Sequence, residues 1–350
     1  MRLGVNVGYW GLRGDGTDDL ALVREAERLG YSVVWAAEAY GSDAVTVLSW
    51  IGAHTSTIDV GSAVLQIPAR SPAMTAMTAA TLDVLTGGRF RLGLGVSGPQ
   101  VSEGWHGVRF GRPLARTREY VDIVNLALSR QRVRYDGQTY QLPLPDGPGK
   151  ALHLMLHPAR EHIPIYLAAI GPKNLQLAGQ IADGWLPVFF APEHAVEHLA
   201  AVERGRAAAG KDLAGFDVAP TVPMVVGDDL AVCAAPVRPY AALYVGGMGS
   251  REQNFYNALA VRMGFAEAAA DVQDRYLARD YDGAAAAVPF EFVDATSLLG
   301  PVDRIAERMA AFAAAGVTTL SVATFGATER DRMAALEIAA EALQRSGAGT

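Results

Sequence analysis

The chain has 350 residues, half of them hydrophobic, and a formal net charge of −7. With no concentrated basic run, nothing is placed to displace the counterions of a nucleic-acid backbone, which excludes that class of partner. A single cysteine, Cys233, rules out an internal disulfide framework, and no uncharged apolar run approaches the roughly 18 residues of a membrane span.

The amino terminus enters an alternating pattern at once, with no long apolar leader, so a cytoplasmic protein is expected. Residues 3–7 read as a strand. Residues 17–29 carry Leu20, Val23, Ala26 and Leu29 at helical spacing and stop at Gly30, with Asp18 or Asp19 as the candidate cap. A second strand over 32–36 leads into the loop Glu38-Ala-Tyr-Gly-Ser-Asp43 and a helix to about His54. The third strand, 59–66, precedes Pro72 and a helix that ends near Thr86-Gly-Gly88, and the fourth begins at Arg89.

Residues 113–128 form an amphipathic helix, after which 134–160 is an excursion rich in glycine and proline. Strands are then expected over 163–169, 184–190, 217–226 and 318–324, with helices over 175–181, 302–315 and 328–343. The alanine-rich stretch 229–300 reads as a helical insertion. Eight strands alternating with helices predict one (β/α)₈ TIM-barrel domain over residues 1–350, with insertions after strands four and seven. A doubly wound sheet is disfavoured because no Gly-x-Gly-x-x-Gly opens the first βα unit.

Chemistry concentrates after the fourth strand, where Arg89-Phe-Arg-Leu-Gly-Leu-Gly-Val-Ser-Gly98 runs an apolar strand into small residues that can line a ligand site. Ser97 offers a hydroxyl and Gly98 permits close approach, although an ordinary strand-to-loop turn has the same composition. The next stretch, residues 99–107, reads as a loop that brings Glu103 and His106 forward as candidate proton donors and Trp105 as a wall. Tyr9 and Trp10, at the end of the first strand, are candidate pocket walls, and packing at the barrel rim is the alternative.

After the fifth strand, Gly171-Pro-Lys-Asn174 opens a helix whose amides face outward, so Gly171, Lys173 and Asn174 are candidates to hold an anion. Lys173 reads equally well as a solvated helix-start residue. Met248 and Arg251, in a glycine-rich loop, are candidate substrate contacts. His153 with His157 and His194 with His198 have the spacing of one helical face, but each pair lacks a third ligand, so no metal is expected.

Taken in order, Leu3-Gly-Val to Trp10, Val34-Trp35, Gly61-Ser-Ala-Val-Leu65, Leu85-Thr-Gly-Gly-Arg-Phe90, Leu92-Gly-Leu-Gly-Val-Ser-Gly98 and Ala182-Asp-Gly184 resemble the luciferase-like monooxygenase superfamily. Gly104-Trp-His-Gly-Val-Arg-Phe-Gly111 and Pro113-Leu-Ala-Arg-Thr-Arg-Glu-Tyr120 resemble its branch that uses the 8-hydroxy-5-deazaflavin coenzyme F420.

The resemblance implies a ring lying across the carboxyl ends of the barrel strands, backed by a non-proline cis peptide that falls here at Ala63-Val64. It also implies hydride transfer between the deazaflavin C5 and a small organic substrate with an activated alkene, imine or carbonyl. FMN and monooxygenation are the alternative, because the same fold holds either ring. Some members carry an acid followed by histidine after the second strand. Glu38 matches the acid, but Ala39 replaces the histidine, which argues against sugar-phosphate oxidation and leaves Glu38 as a coenzyme contact or proton donor. A homodimer is implied as well.

Overall fold

The computed structural model describes residues 1–11 and 16–350. Its central element is a curled, parallel sheet. Strands β1 (Arg2–Gly8), β2 (Val33–Ala36), β3 (Asp59–Ser62), β4 (Phe90–Gly95), β5 (Ile165–Leu167) and β6 (Gly184–Trp185) follow one another in space, and β8 (Thr319–Thr324) pairs with the free side of β1. The registers place Val5 beside both Val34 and Val322, so the first, second and last strands stand level at the start of the curl.

One segment approaches both ends of the sheet. Asp217–Val218 pairs with β6, whereas β7 (Thr221–Val226) pairs with β8. Between them the ladder is interrupted, and Pro220, which has no N–H, instead accepts from Ser321 through its carbonyl. Single bonds from Ala219 N to Trp185 O and from Thr221 N to Pro187 O cross the remaining gap. The sheet is therefore curled without a continuous ladder around its circumference.

Most expected elements form, with shorter strands. The third expected strand is split into β3 and Leu65–Gln66 by a cis peptide at Ala63-Val64. A strand that sequence patterning missed, Leu298–Gly300, lies within the supposed helical insertion and pairs Leu298 with Met224 on the outer side of β7. Helix α1 (Thr17–Arg28) starts at Gly16 with no side-chain cap. The Asp18 side chain lies outside the described residues, while Asp19 accepts from Gly11 N and pairs with Arg332 in place of capping.

Helices α2 (Ala44–Ala53) and α3 (Pro72–Leu85) are capped by Asp43 and Ser71, which accept from Thr46 N and Met74 N. Residues 99–107 do not form the expected loop alone: Pro99 occupies the first turn of a short helix, α4 (Pro99–Gly104). Helix α5 (Pro113–Leu128) follows. The excursion behind it forms a hairpin, Tyr135–Asp136 with Gln141–Leu142, held because Glu119 of α5 accepts from the backbone of Gln138, Thr139 and Tyr140.

Helix α6 (Pro172–Ile181) packs on α7 (Ala195–Ala208), and α8 (Val302–Ala314) and α9 (Glu329–Ser346) cover the last strands. The main core lies between sheet and helices, where Val5, Val34, Val60, Leu92, Ile165 and Leu320 are sealed from solvent. Inside the curl, the alternate residues Val33 and Trp35 face Tyr166, Leu186 and Ala219. Trp35 is wholly buried, donates from its indole N–H to Ser321 Oγ at 3.0 Å, and meets the Tyr166 ring edge-on at 5.2 Å. A separate cluster, including Phe189, Val245, Leu259, Val272 and Phe292, holds residues of the 229–300 region to the segment after β6.

Candidate active site

Because the strands are parallel, their carboxyl ends share one rim, and above the Trp35 layer they enclose a cavity of about 820 Å³. Asn6 and Gly8 come from β1, Gly95 from β4, Pro223 from β7 and Thr324 from β8. A further part of the wall is built by residues between 240 and 256.

Ala63 and Val64 line this cavity across their cis peptide. An added methyl at Gly95 would stand 2.6 Å from Val64 Cγ2, so the close approach of β4 to that peptide requires glycine. Ser97 and Gly98 also line the cavity. The Ser97 hydroxyl, expected to face a ligand, donates at 2.7 Å to Gln66 Oε1, because a left-handed φ of 62° at Ser97 turns its backbone. Gln66 in turn donates from its side chain to Ala39 O and from its backbone to Glu38 Oε1, and so ties the rims of three strands together. Sequence reading passed over Gln66 because an isolated glutamine carries no motif.

Glu38 lines the cavity, but its carboxylate is nearly sealed and accepts from the Arg70 guanidinium, which also reaches Asp43. Burial works against the charge on Arg70, yet the hydrogen bond and charge of Glu38 prevail and raise its pKa. The arrangement suits a carboxylate that holds the rim in place more than one that releases a proton.

On the far side, Gly171, Lys173 and Asn174 line the cavity at the start of α6. No side chain caps that ten-residue helix. A Cβ added at Gly171 would meet nothing within 4 Å, and one at Gly98 nothing nearer than Gln100 at 3.8 Å. Space is therefore left on both sides of the rim beside outward-facing amides and an exposed ammonium.

Five expected residues lie elsewhere. Trp10 turns away and packs over Gly16, where an added Cβ would fall 2.3 Å from the indole nitrogen. Helix α4 carries Glu103 outward, and its carboxylate accepts from Phe110 N at 3.0 Å. Trp105 is 67% exposed. His106 is half-buried outside the cavity, with its Nε2 lacking a hydrogen-bond partner among the described residues. Arg251 pairs with Asp274 on the surface. Met248 and Tyr9 line the cavity.

Sequence reading missed Tyr240, Tyr244 and Tyr256, which join Tyr9 in the cavity wall. The Tyr244 and Tyr256 rings meet perpendicularly at 4.8 Å, Tyr240 lies 4.8 Å from Tyr244, and Phe189 backs them at 5.5 Å from Tyr240. Burial pushes the Tyr256 phenol up to about 12 and raises Tyr9, Tyr240 and Tyr244 further. All four are neutral hydrogen-bond donors near pH 7.

No group of three or more metal-ligating side chains occurs among the described residues. His198 sits half-buried against Trp185, with ring centroids 6.0 Å apart, and burial lowers its pKa. No helix among the described residues is long and apolar enough to cross a membrane.

The profile of the family described as luciferase-like monooxygenase matches residues 11–319. The "Putative coenzyme F420-dependent oxidoreductase Rv3520c" of Mycobacterium tuberculosis is 44% identical over 95% of this chain and 97% of its own. A 5,10-methylenetetrahydromethanopterin reductase of Archaeoglobus fulgidus is 30% identical over 85% of this chain and 86% of its own. In fold, the coenzyme F420-dependent tetrahydromethanopterin reductase of Methanopyrus kandleri superposes with a TM-score of 0.81, covering 97% of both chains at 23% identity. The chain belongs to the luciferase-like monooxygenase family, in its branch of F420-dependent oxidoreductases.

Proposed function

We propose that the protein is an oxidoreductase that uses coenzyme F420 to transfer a hydride to or from a small organic substrate with an activated alkene, imine or carbonyl. One observation carries the reading: a single cavity joins an apolar slot at Ala63, Val64 and Gly95 to an uncapped helix start with Lys173. A flat ring with an anionic tail needs both. The residues therefore fit the coenzyme named for the 44% identical relative.

When bound, the coenzyme supplies hydride exchange at its deazaflavin C5. Ala63 and Val64 would support the ring from behind, while the Gly171 and Lys173 amides, the Asn174 side chain and the Lys173 ammonium would hold its anionic tail, the Asn174 N–H being spent on Gly171 O. Gln66 and the Glu38–Arg70 pair would keep the ring side of the rim in register through Ser97 and Ala39. The tyrosine wall would keep water from the reacting carbon.

The same reading treats residues 1–350 as a single (β/α)₈ domain of the cytoplasm, with β7 and Asp217–Val218 as two halves of one barrel strand and 134–160 and 229–300 as insertions. It also takes the protein as a homodimer. Support comes from the outer faces of α2 and α3, where Trp50, Met74, Met77, Val84 and Leu85 are exposed and no charged side chain interrupts them.

The test is a titration of the purified protein with oxidised F420 and, separately, FMN, followed by ring fluorescence. Saturable binding of F420 with at least tenfold preference over FMN is expected. Preference for FMN would reject the reading and make oxygen-dependent monooxygenation the leading one.

A further inference from the structure

We propose that the tyrosine-lined part of the cavity is a substrate subsite for an uncharged carbonyl compound with an apolar or aromatic body, whose oxygen accepts hydrogen bonds from the Tyr9 and Tyr256 hydroxyls. The inference rests on the coenzyme reading above and names the substrate class of that same site.

Three observations lead to it. The first is rigidity. The Tyr9 ring stands directly on the backbone of Gly41, where an added Cβ would lie 2.7 Å from ring carbons. Tyr256 is fixed by its perpendicular contact with Tyr244 and by Phe189 behind it at 6.3 Å. Tyr9 follows β1 and Tyr256 lies almost 250 positions further along the chain, yet both line the same cavity.

The second is unspent hydrogen bonding. Tyr240 and Tyr244 lie against each other, with ring centroids 4.8 Å apart. The Tyr9 and Tyr256 hydroxyls have no hydrogen-bond partner among the described residues, and neither is sealed within protein. Both residues are half-buried in the cavity wall, where a hydroxyl without a protein partner gives its hydrogen bond to whatever fills the cavity. Two donors aimed into one cavity with none are placed for an acceptor atom on a ligand.

The third is charge. Among the described residues lining the cavity, the ionisable acids and bases are Asp19, Glu38, Lys173 and Arg332. Asp19 is paired with Arg332, Glu38 with Arg70, and Lys173 stands at the start of α6 on the far rim. Around the tyrosines the wall is completed by Leu243, Met248 and Phe325. A carboxylate or phosphate there would lose its hydration without gaining a counter-charge, whereas a neutral carbonyl oxygen needs only the two hydroxyls.

Acetophenone and 4-acetylbenzoate share a ketone and a ring and differ by one carboxylate. F420 binding to the wild type, Tyr9→Phe and Tyr256→Phe is measured first by fluorescence, and the two ketones are then titrated by calorimetry into each F420-loaded protein. Acetophenone is expected to bind at least tenfold tighter than 4-acetylbenzoate, and each phenylalanine variant to weaken acetophenone about 3- to 10-fold with F420 affinity unchanged. Unchanged F420 affinity also shows that the variants fold. Equal affinity for the two ketones, or no loss in either variant, overturns the inference while leaving the coenzyme reading intact. Failure of the wild type to bind F420 overturns both.

Discussion

Arg70 closes on Glu38 across the rim, so the carboxylate that family resemblance suggests for the chemistry is held by a cation from the turn after the third strand. Because Glu38 is nearly inaccessible, removing Arg70 strands a buried charge. Arg70→Met is expected to destabilise the protein by about 3 kcal/mol, and adding Glu38→Leu to recover part of that loss. Urea unfolding of the two single variants and the double variant gives the coupling. Additive effects would show that the pair is not a unit.

A second buried centre lies at the amino ends of the strands. Asp217 accepts from Arg91, Tyr166, Thr318 and Thr319 and pairs with Arg2, so it joins the segment before β7 to β1, β4, β5 and β8. Burial works against the Arg91 charge, but neighbouring Tyr166, Asp59 and Asp217 raise its pKa. Asp217→Ala leaves that guanidinium with Asp59 as its one carboxylate and is expected to cost about 3–5 kcal/mol, whereas Tyr166→Phe should cost about 1 kcal/mol. Thermal unfolding of both ranks them.

Much of this architecture is legible in the sequence. Strands β1 to β4 alternate or run apolar, and the helices after β2 and β3 start at Asp43 and next to Pro72, so the order of these strands and the rim they share follow from local signals. The cavity wall is harder. Tyr240 and Tyr244 are four apart in an alanine-rich helical stretch and read there as one more helical face. Only the π-helical turn Leu243–Gly247 and the return of the chain at Tyr256 bring the three rings together. Leu298–Gly300 escaped because three residues carry no period and its partner is more than 70 positions away. Glu103 misled because Pro99 starts a helix that turns it outward, a choice that loop composition does not reveal.

Glu27 provides a titration that separates stability from the active site. Its Oε1 accepts from the backbone of Ser56, Thr57 and Ile58 and from the Thr57 hydroxyl, which clamps the turn before β3. Burial acts to raise its pKa, but the hydrogen bonds from Thr57, Ile58 and Ser56 prevail and lower it. A carboxyl depressed in the folded state contributes stability fully above its unfolded value, about 4.3, and loses that contribution as pH falls through the folded-state value. Glu27→Gln is expected to cost about 1 kcal/mol at pH 7, given partial solvent screening, and the gap in Tm to wild type should close on acidification below about pH 4. A gap independent of pH would mean that shape, and not charge, carries the clamp.

Lys173 tests the proposed anion end of the cavity. An exposed ammonium at a helix start adds to the amide field but is screened by salt. Lys173→Ala should weaken F420 binding about 3- to 10-fold at low ionic strength and by less at 0.5 M salt, with Tm unchanged because the side chain has no packing role. Loss of affinity that does not depend on salt would place the coenzyme's anionic tail elsewhere.

The proposed homodimer makes a separate demand on α2 and α3. Trp50, Met74 and Met77 are each about half exposed and Leu85 is 66% exposed, on a helical face with no charge to keep a second copy away. A stable pairing buries roughly 800 Å² per partner, with its energy centred on large side chains such as Trp50. Met77 projects from the middle of α3 into solvent, so Met77→Glu disturbs no buried contact within the chain, while in a dimer it would place a carboxylate in the interface. Light scattering at micromolar concentration should show twice the chain mass for wild type and a single chain mass for Met77→Glu, with Tm lower by whatever stability the second copy lends. If the variant keeps the wild-type mass, any dimer is formed by another face, and the exposed methionines of α3 need a different occupant.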